Sequence, residues 1–224
     1  MSQTLRFQNI PARVGQTKAR RAVRSLLEGD PLAVAFSEGV HLENDFPVVT
    51  DYQVLETTDR ATPVIVRPDV EVTGLREQLA YPPTWVGKWG AGPDVMAAAV
   101  PHLHRLEAEG EEPVWFGPSH LVPSVMRRAV TKRQKANQAR RRVLHELEVR
   151  ELIATARGLS RVVLVADWNA GDRYPSIQLL KAAGFTIVRD ANIDYWAVKG
   201  VQVLSSRALP HNGSDHPGVE LTFS

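Results

Sequence analysis

The chain has 224 residues of which 43% are hydrophobic, enough to bury a good core, so residues 1–224 are expected to form one domain. It contains no cysteine, which excludes disulfides, thiolate metal sites and cysteine nucleophiles and leaves oxygen and imidazole as the ligands for any metal. Lys plus Arg number 27 against 25 for Asp plus Glu, so the placement of charge matters more than its sum. The segment Met1 to Arg6 lacks the charged-then-apolar pattern of a signal peptide, and no apolar run reaches membrane length. The expectation is a cytoplasmic protein that engages no membrane.

The first predicted element is a strand, Thr4 to Ile10, whose Leu5, Phe7 and Asn9 fall on one side. Thr17 to Glu28 carries Ala19, Ala22, Val23, Leu26 and Leu27 at helical spacing and closes on Gly29 and Asp30. Pro31 to Gly39 is a short apolar run that ends in one carboxylate, Glu38. Tyr52 to Glu56 and Pro63 to Arg67 read as short strands joined by polar turns. Tyr81 to Pro93 is dense in Pro, Gly and aromatics, which predicts an ordered loop without a regular element. Its Trp85 and Trp89 are read as plugs onto the core, with stacking of the indoles beside Lys88 on bases or sugars as the competing reading.

Met96 to Glu107 predicts a strand with His102 and His104 on one face. No third ligand at suitable spacing accompanies them, so the pair reads as structural or surface rather than as a metal site. A strand starts at Glu111 to Phe116, and His120 follows it. Ser124 then caps a helical region reaching Gly158. Arg127, Arg128, Lys132, Arg133, Lys135, Arg140, Arg141 and Arg142 occur in it with no acid between them, and no large apolar residue lies between Val130 and Val143. Such a segment fits a polyanion, and a merely solvated basic face is the rival reading.

The stretch around which the chain is organised is Arg161 to Ala170, a β-branched run that stops on Asp167, Trp168 and Asn169. It reads as a strand buried on both faces that delivers polar groups where the sheet ends, with Val163, Val165, Asp167 and Asn169 on one face. Pro175 to Gly184 is a short helix. Phe185 to Val188, Ile193 to Val198, Val201 to Leu204 and Val219 to Phe223 are strands, and Ser214, Asp215 and His216 stand just before the last. Four separated apolar segments thus each present polar groups at one end, Asn9, Glu38, Asp167 with Asn169, and Asp215 with His216, the pattern of a site built at the rim of a sheet.

In order, Asn9-Ile10, Phe36-Ser37-Glu38, Ser119-His120-Leu121, Ala166-Asp167-Trp168-Asn169-Ala170, Ile193-Asp194-Tyr195 and Ser214-Asp215-His216-Pro217 resemble the motif set of the endonuclease/exonuclease/phosphatase superfamily, the deoxyribonuclease I-like fold. The resemblance spans nearly the whole chain. It implies an α/β (α+β) four-layer sandwich in which two packed, mostly antiparallel sheets are flanked by helices. The chain departs from the family at Gln8, where a small or aromatic residue is usual, at Phe36 to Glu38, which replaces a Gln-Glu ending, and at Trp168, where Phe is frequent.

By the same resemblance Glu38 is the principal metal ligand, with Asn9 beside it and Asp215 contributing, and the ion is Mg2+ or Mn2+. Asp167 positions and deprotonates the attacking water, Asn169 and His120 donate to the phosphoryl oxygens, and His216, oriented by Asp194, is a second acid/base or phosphate clamp. Either Asp167 or His216 is the base. The activity implied is a divalent-metal-dependent phosphodiesterase acting on nucleic acid, DNA before RNA, with Arg127, Arg128, Lys132, Arg133, Lys135 and Arg140 on the phosphates and no obligate protein partner. A phosphatase of a small phosphorylated molecule or lipid headgroup, and a non-catalytic nucleic-acid-binding relative, are the alternatives.

Overall fold

The computed structural model of the chain describes residues 2–10, 14–37, 51–55, 62–77, 84–86, 95–97, 102–121 and 131–224. In chain order the elements are β1 (Gln3–Asn9), α1 (Gln16–Leu27), β2 (Ala33–Ser37), β3 (Gln53–Leu55), β4 (Val64–Val66), β5 (Val70–Glu77), β6 (Thr84–Val86) and β7 (Val95–Ala97). They continue with β8 (His102–Ala108), β9 (Val114–His120), α2 (Lys132–Thr155), β10 (Val162–Asp167), α3 (Pro175–Ala182), β11 (Thr186–Val188), β12 (Asp194–Lys199), β13 (Val203–Ala208) and β14 (Val219–Phe223). One sheet has the order β13-β14-β1-β2-β4-β3 and the other β11-β12-β10-β9-β8-β5. Each holds one parallel pair at its centre, β1 with β2 and β9 with β10, and is antiparallel elsewhere. A helix makes each parallel crossover, as the geometry of such a connection requires.

Alternation along the strands sorts side chains into layers. Leu5, Phe7, Ala33, Ala35, Val163, Val165, Trp196 and Phe223 form the core between the sheets. On the outer face of the first sheet, Val34, Phe36 and Ile65 meet Ala19, Val23 and Leu26 of α1. On the outer face of the second, Val162, Leu164 and Ala166 meet Val149 and Leu152 of α2 and Ile177 and Leu180 of α3. The architecture is therefore the expected two-sheet sandwich with helices on both outer faces. A buried guanidinium fixes the end of α1: Arg6 donates to the Leu26 carbonyl at 2.8 Å and pairs with Glu220 at 2.7 Å, satisfying a helix-end acceptor that has no partner of its own.

The structure corrects several expected elements. Thr84 to Val86 is a strand, although Tyr81 to Pro93 was expected to hold none. Its Trp and Val suit a ladder, and the antiparallel partner β7 supplies one that local composition does not register. Trp89 lies outside the described residues. Met96 to Glu107 divides into β7 and β8. Strand β5 had no expected counterpart, and β13 runs on to Ala208. The helix expected from Ser124 is seen from Lys132, residues 122–130 lying outside the described set. Among the described residues no helix is long and apolar enough to cross a membrane.

Candidate active site

The core between the sheets stops at a polar layer because each contributing strand ends there. Parallel pairing of β1 with β2 sets Asn9 beside Ser37. Parallel pairing of β9 with β10 sets His120 beside Asp167, and antiparallel pairing of β10 with β12 sets Asp167 opposite Asp194. The loop from β13 to β14 brings His216 to the same edge. Asn9, Asp167 and Asp194 are all buried, at 3%, 2% and 1% exposure.

Asp167 is the hub. Its Oδ2 accepts from Asn9 Nδ2 at 2.9 Å and its Oδ1 from the Asn169 backbone N–H at 3.0 Å. His216 Nδ1 and His120 Nε2 stand 3.6 and 3.8 Å from Oδ2, in charge contact rather than hydrogen-bond range. A carboxylate only accepts, so the Asn9 amide nitrogen must face it and the amide oxygen must face away. That oxygen, Oδ1, is buried, and no donor among the described residues reaches it. The same is true of Asp194 Oδ1 and Ser37 Oγ.

His216 donates through Nδ1 to Asp194 Oδ2 at 2.7 Å. That bond is the largest cause raising the imidazole to about 9, with the charges of Asp194, Asp167 and Asp215 adding and burial opposing. Burial is the largest cause raising Asp194, to about 6, with the charge of Asp167 adding and the His216 bond opposing. At neutral pH the pair is accordingly an imidazolium on a carboxylate, and the ring holds a proton on both nitrogens. One ligand atom from each of Asp167, Asp194 and His216 lies within 4.8 Å of the others, a spacing that also suits a cation. A doubly protonated ring is a donor, however, and the Asn9 oxygen that no donor among the described residues reaches is better placed by its chemistry to meet a metal.

Asn169 departs from the expected alternation. It adopts the left-handed region, φ 47°, one of three non-glycine residues among those described to do so. Its side chain therefore leaves the face shared by Val163, Val165 and Asp167 and donates to the Leu121 carbonyl at 2.8 Å. Leu121 N–H in turn donates to the Asp167 carbonyl at 3.1 Å, so the turns after β9 and β10 are laced together.

Gln8, next to Asn9 but pointing to the opposite face, holds the loop that carries Asp215 and His216. Its Nε2 donates to the His211 carbonyl at 2.6 Å and lies 3.3 Å from that of Pro210, while its Oε1 accepts from Asn212 at 3.2 Å. Within the loop Asn212 and Gly213 both take positive φ, and the Ser214 hydroxyl accepts from the His216 N–H. Asp215 is exposed beside His216.

Glu38, Arg127 and Arg128 lie outside the described residues, and so does the side chain of Arg133. Lys132, Lys135 and Arg140 are exposed on α2, whereas Arg141 turns inward to 3% exposure. His102 and His104 are buried between the sheets, ring centroids 5.2 Å apart, consistent with a structural pair and not a surface one.

No protein-family model matches the chain, and no curated protein does. Solved structures do. An endonuclease/exonuclease/phosphatase family protein from Bacteroides thetaiotaomicron superimposes with a TM-score of 0.66 at 13% identity, covering 100% of this chain and 95% of its own. The fold is that of the endonuclease/exonuclease/phosphatase superfamily. A mannosyl-6-phosphatase from the same organism gives 0.65 at 12% identity over 99% of both chains. The human Nocturnin catalytic domain, with a bound sulfate anion, gives 0.64 at 13% identity over 100% of this chain and 94% of its own.

In this endonuclease/exonuclease/phosphatase fold, one polar member of the site's surroundings had no sequence expectation attached. His145 lies on the inward stripe of α2 with Leu144, Glu148, Val149 and Leu152, a stripe whose spacing is legible but whose one imidazole carries no motif. It is fully buried, and its Nε2 reaches the carbonyl of Trp168, between the two polar residues of the central turn.

Proposed function

We propose that the chain is a divalent-metal-dependent phosphoesterase, and that phosphodiester bonds in DNA are its leading substrate. The observation that carries this reading is Asp167, a buried carboxylate held on one oxygen by Asn9 and on the other by the Asn169 N–H, with His120 and His216 both within 3.8 Å. Acid, amides and imidazoles at one sheet edge are what hydrolysis of a phosphate ester asks for: a proton acceptor for water and donors for the oxygens that gain charge.

The donor set fits a hard cation, because Asn9 Oδ1 is buried without a partner among the described residues and Asp215 stands exposed at the same edge. Asn9 and Asp215, with Glu38, would hold Mg2+ or Mn2+, which supplies charge neutralisation at the phosphate and polarisation of the bond to be broken. Asp167 is assigned as the base. His216 already carries its proton at neutral pH, so it serves as donor and clamp, with Nδ1 fixed by Asp194 and Nε2–H left for a phosphoryl oxygen. Asn169 and His120 are assigned as further donors to the phosphoryl oxygens.

Preference for nucleic acid is supported by the exposed Lys132, Lys135, Arg140 and Arg142 on α2. A second reading, a small phosphorylated substrate, is favoured by the likeness to the mannosyl-6-phosphatase. Nicking of supercoiled plasmid with Mg2+ or Mn2+, abolished by EDTA, tests the first reading. Phosphate release from sugar phosphates without nicking selects the second, and no metal-dependent turnover of either kind removes both.

A further inference from the structure

We propose that His145 is a positioning residue for the Asp167 carboxylate, acting through the single peptide unit that joins Trp168 to Asn169. The inference rests on Asp167 being the reacting carboxylate of the proposed hydrolase. The peptide unit is gripped at both ends. Its carbonyl, Trp168 O, lies 2.7 Å from His145 Nε2, and its N–H, that of Asn169, donates to Asp167 Oδ1 at 3.0 Å. Behind the imidazole, His145 Nδ1 lies 2.7 Å from the Ser176 hydroxyl at the start of α3.

The proton positions follow from the partners. A carbonyl only accepts, so Nε2 must carry hydrogen. The ring is wholly buried and its pKa is lowered by that burial, so it is neutral and Nδ1 must accept from the Ser176 hydroxyl. The result is a one-way series: Ser176 O–H to His145 Nδ1, His145 Nε2–H to the Trp168 carbonyl, and Asn169 N–H to Asp167. A donor on the carbonyl polarises the amide and strengthens the bond its N–H makes, so the series adds to the hold on Oδ1 while Asn9 holds Oδ2.

The arrangement also explains how Asn169 keeps its left-handed backbone. A non-glycine residue in that region needs its neighbouring peptides fixed from outside. Trp168 is fixed by its N–H to the Ile193 carbonyl at 2.9 Å, by its indole N–H to the Tyr195 carbonyl at 2.7 Å, and by His145 on its own carbonyl. Tyr174 packs edge-on against the imidazole, with centroids 5.7 Å apart, and closes it from solvent.

Nitrogen NMR of the full chain and of His145→Leu, His145→Gln and Ser176→Ala, with steady-state kinetics on the substrate found for the wild type, tests the inference. A neutral ring protonated at Nε2 is expected. In His145→Leu the Asn169 amide proton should move upfield and exchange about tenfold faster or more. In the same variant kcat should fall about tenfold with KM nearly constant, and His145→Gln, which can still present an Nε2 donor, should recover most of the loss. An Nδ1-protonated ring, an Asn169 amide unchanged in folded His145→Leu, or a His145→Gln as impaired as His145→Leu would overturn it. Ser176→Ala carries the same amide measurement should His145→Leu not fold. The tautomer and the amide are read without turnover, so a wild type that hydrolyses nothing contradicts the hydrolase reading while these two still decide the role of His145.

Discussion

His216 and Asp194 share a 2.7 Å hydrogen bond, and the same ring nitrogen stands 3.6 Å from Asp167, so one imidazole is placed between two buried carboxylates. The bond to Asp194 raises His216 to about 9, and burial raises Asp194 to about 6. Turnover that uses His216 as a donor is expected to hold between those values and to fall on either side. Asp194→Asn removes the largest cause of the imidazole's shift, so the alkaline limb of kcat should retreat toward about 6.5. The sign for stability is parallel: a base raised on folding contributes fully below its unfolded value and loses that contribution as pH rises through about 9. An alkaline limb that stays in place in Asp194→Asn would show that this pair does not set it.

Gln8→Leu is expected to abolish the proposed activity without touching the site directly. It strips the donor from the His211 carbonyl and the acceptor from Asn212, in a position with no exposure, at a cost of about 1–3 kcal/mol. The loop carrying Asp215 and His216 should loosen, lowering kcat more than it raises KM, and amides of 211–216 should exchange faster than those of β1. Unchanged kcat in folded Gln8→Leu would mean that the loop is held by other contacts.

The exposed basic residues of α2 separate the two substrate readings. Combining Lys132→Glu, Lys135→Glu and Arg140→Glu should weaken DNA binding and flatten its salt dependence, the logarithmic slope shrinking by roughly 0.9 for each phosphate that is no longer neutralised. Hydrolysis of a small phosphodiester such as bis(p-nitrophenyl) phosphate should stay near the wild-type rate. DNA affinity and salt slope that do not change would place the polyanion elsewhere or point to a small substrate.

His104 has a buried ring whose Nε2 has no hydrogen-bond partner among the described residues, and burial, followed by the nearby His102, pushes its pKa down to about 3. A base depressed on folding contributes stability above its unfolded value and loses it as pH falls, on the order of 2 kcal/mol by about pH 5. His104→Leu, close in volume, should therefore move the acid-unfolding midpoint followed by circular dichroism to lower pH. A midpoint that does not move would assign acid sensitivity to other groups.

The strand ends at Asn9 and Asp167 were legible because alternation is a local property: once Val163 and Val165 face the core, Asp167 must lie on the same face where the strand stops, whereas Asp194 was named only through the resemblance. Asn169 broke that rule through one left-handed residue, a backbone state that the sequence Asp-Trp-Asn does not announce. Strands β5 and β6 escaped notice because their ladders come from distant or later partners, β8 and β7, not from their own composition. The contribution of His145 was invisible for a similar reason. Its partners Trp168 and Ser176 are 23 and 31 residues away, and helical spacing says only that position 145 faces inward.

The proposed mechanism has Asp167, clasped by Asn9 and the Asn169 N–H, take the proton from water in phosphoester hydrolysis. Its most direct test is the metal-dependent rate of purified, folded Asp167→Ala against the wild type under saturating Mg2+ or Mn2+. A loss of about a thousandfold or more with the fold intact is the expected result. Cleavage as fast as the wild type would contradict it.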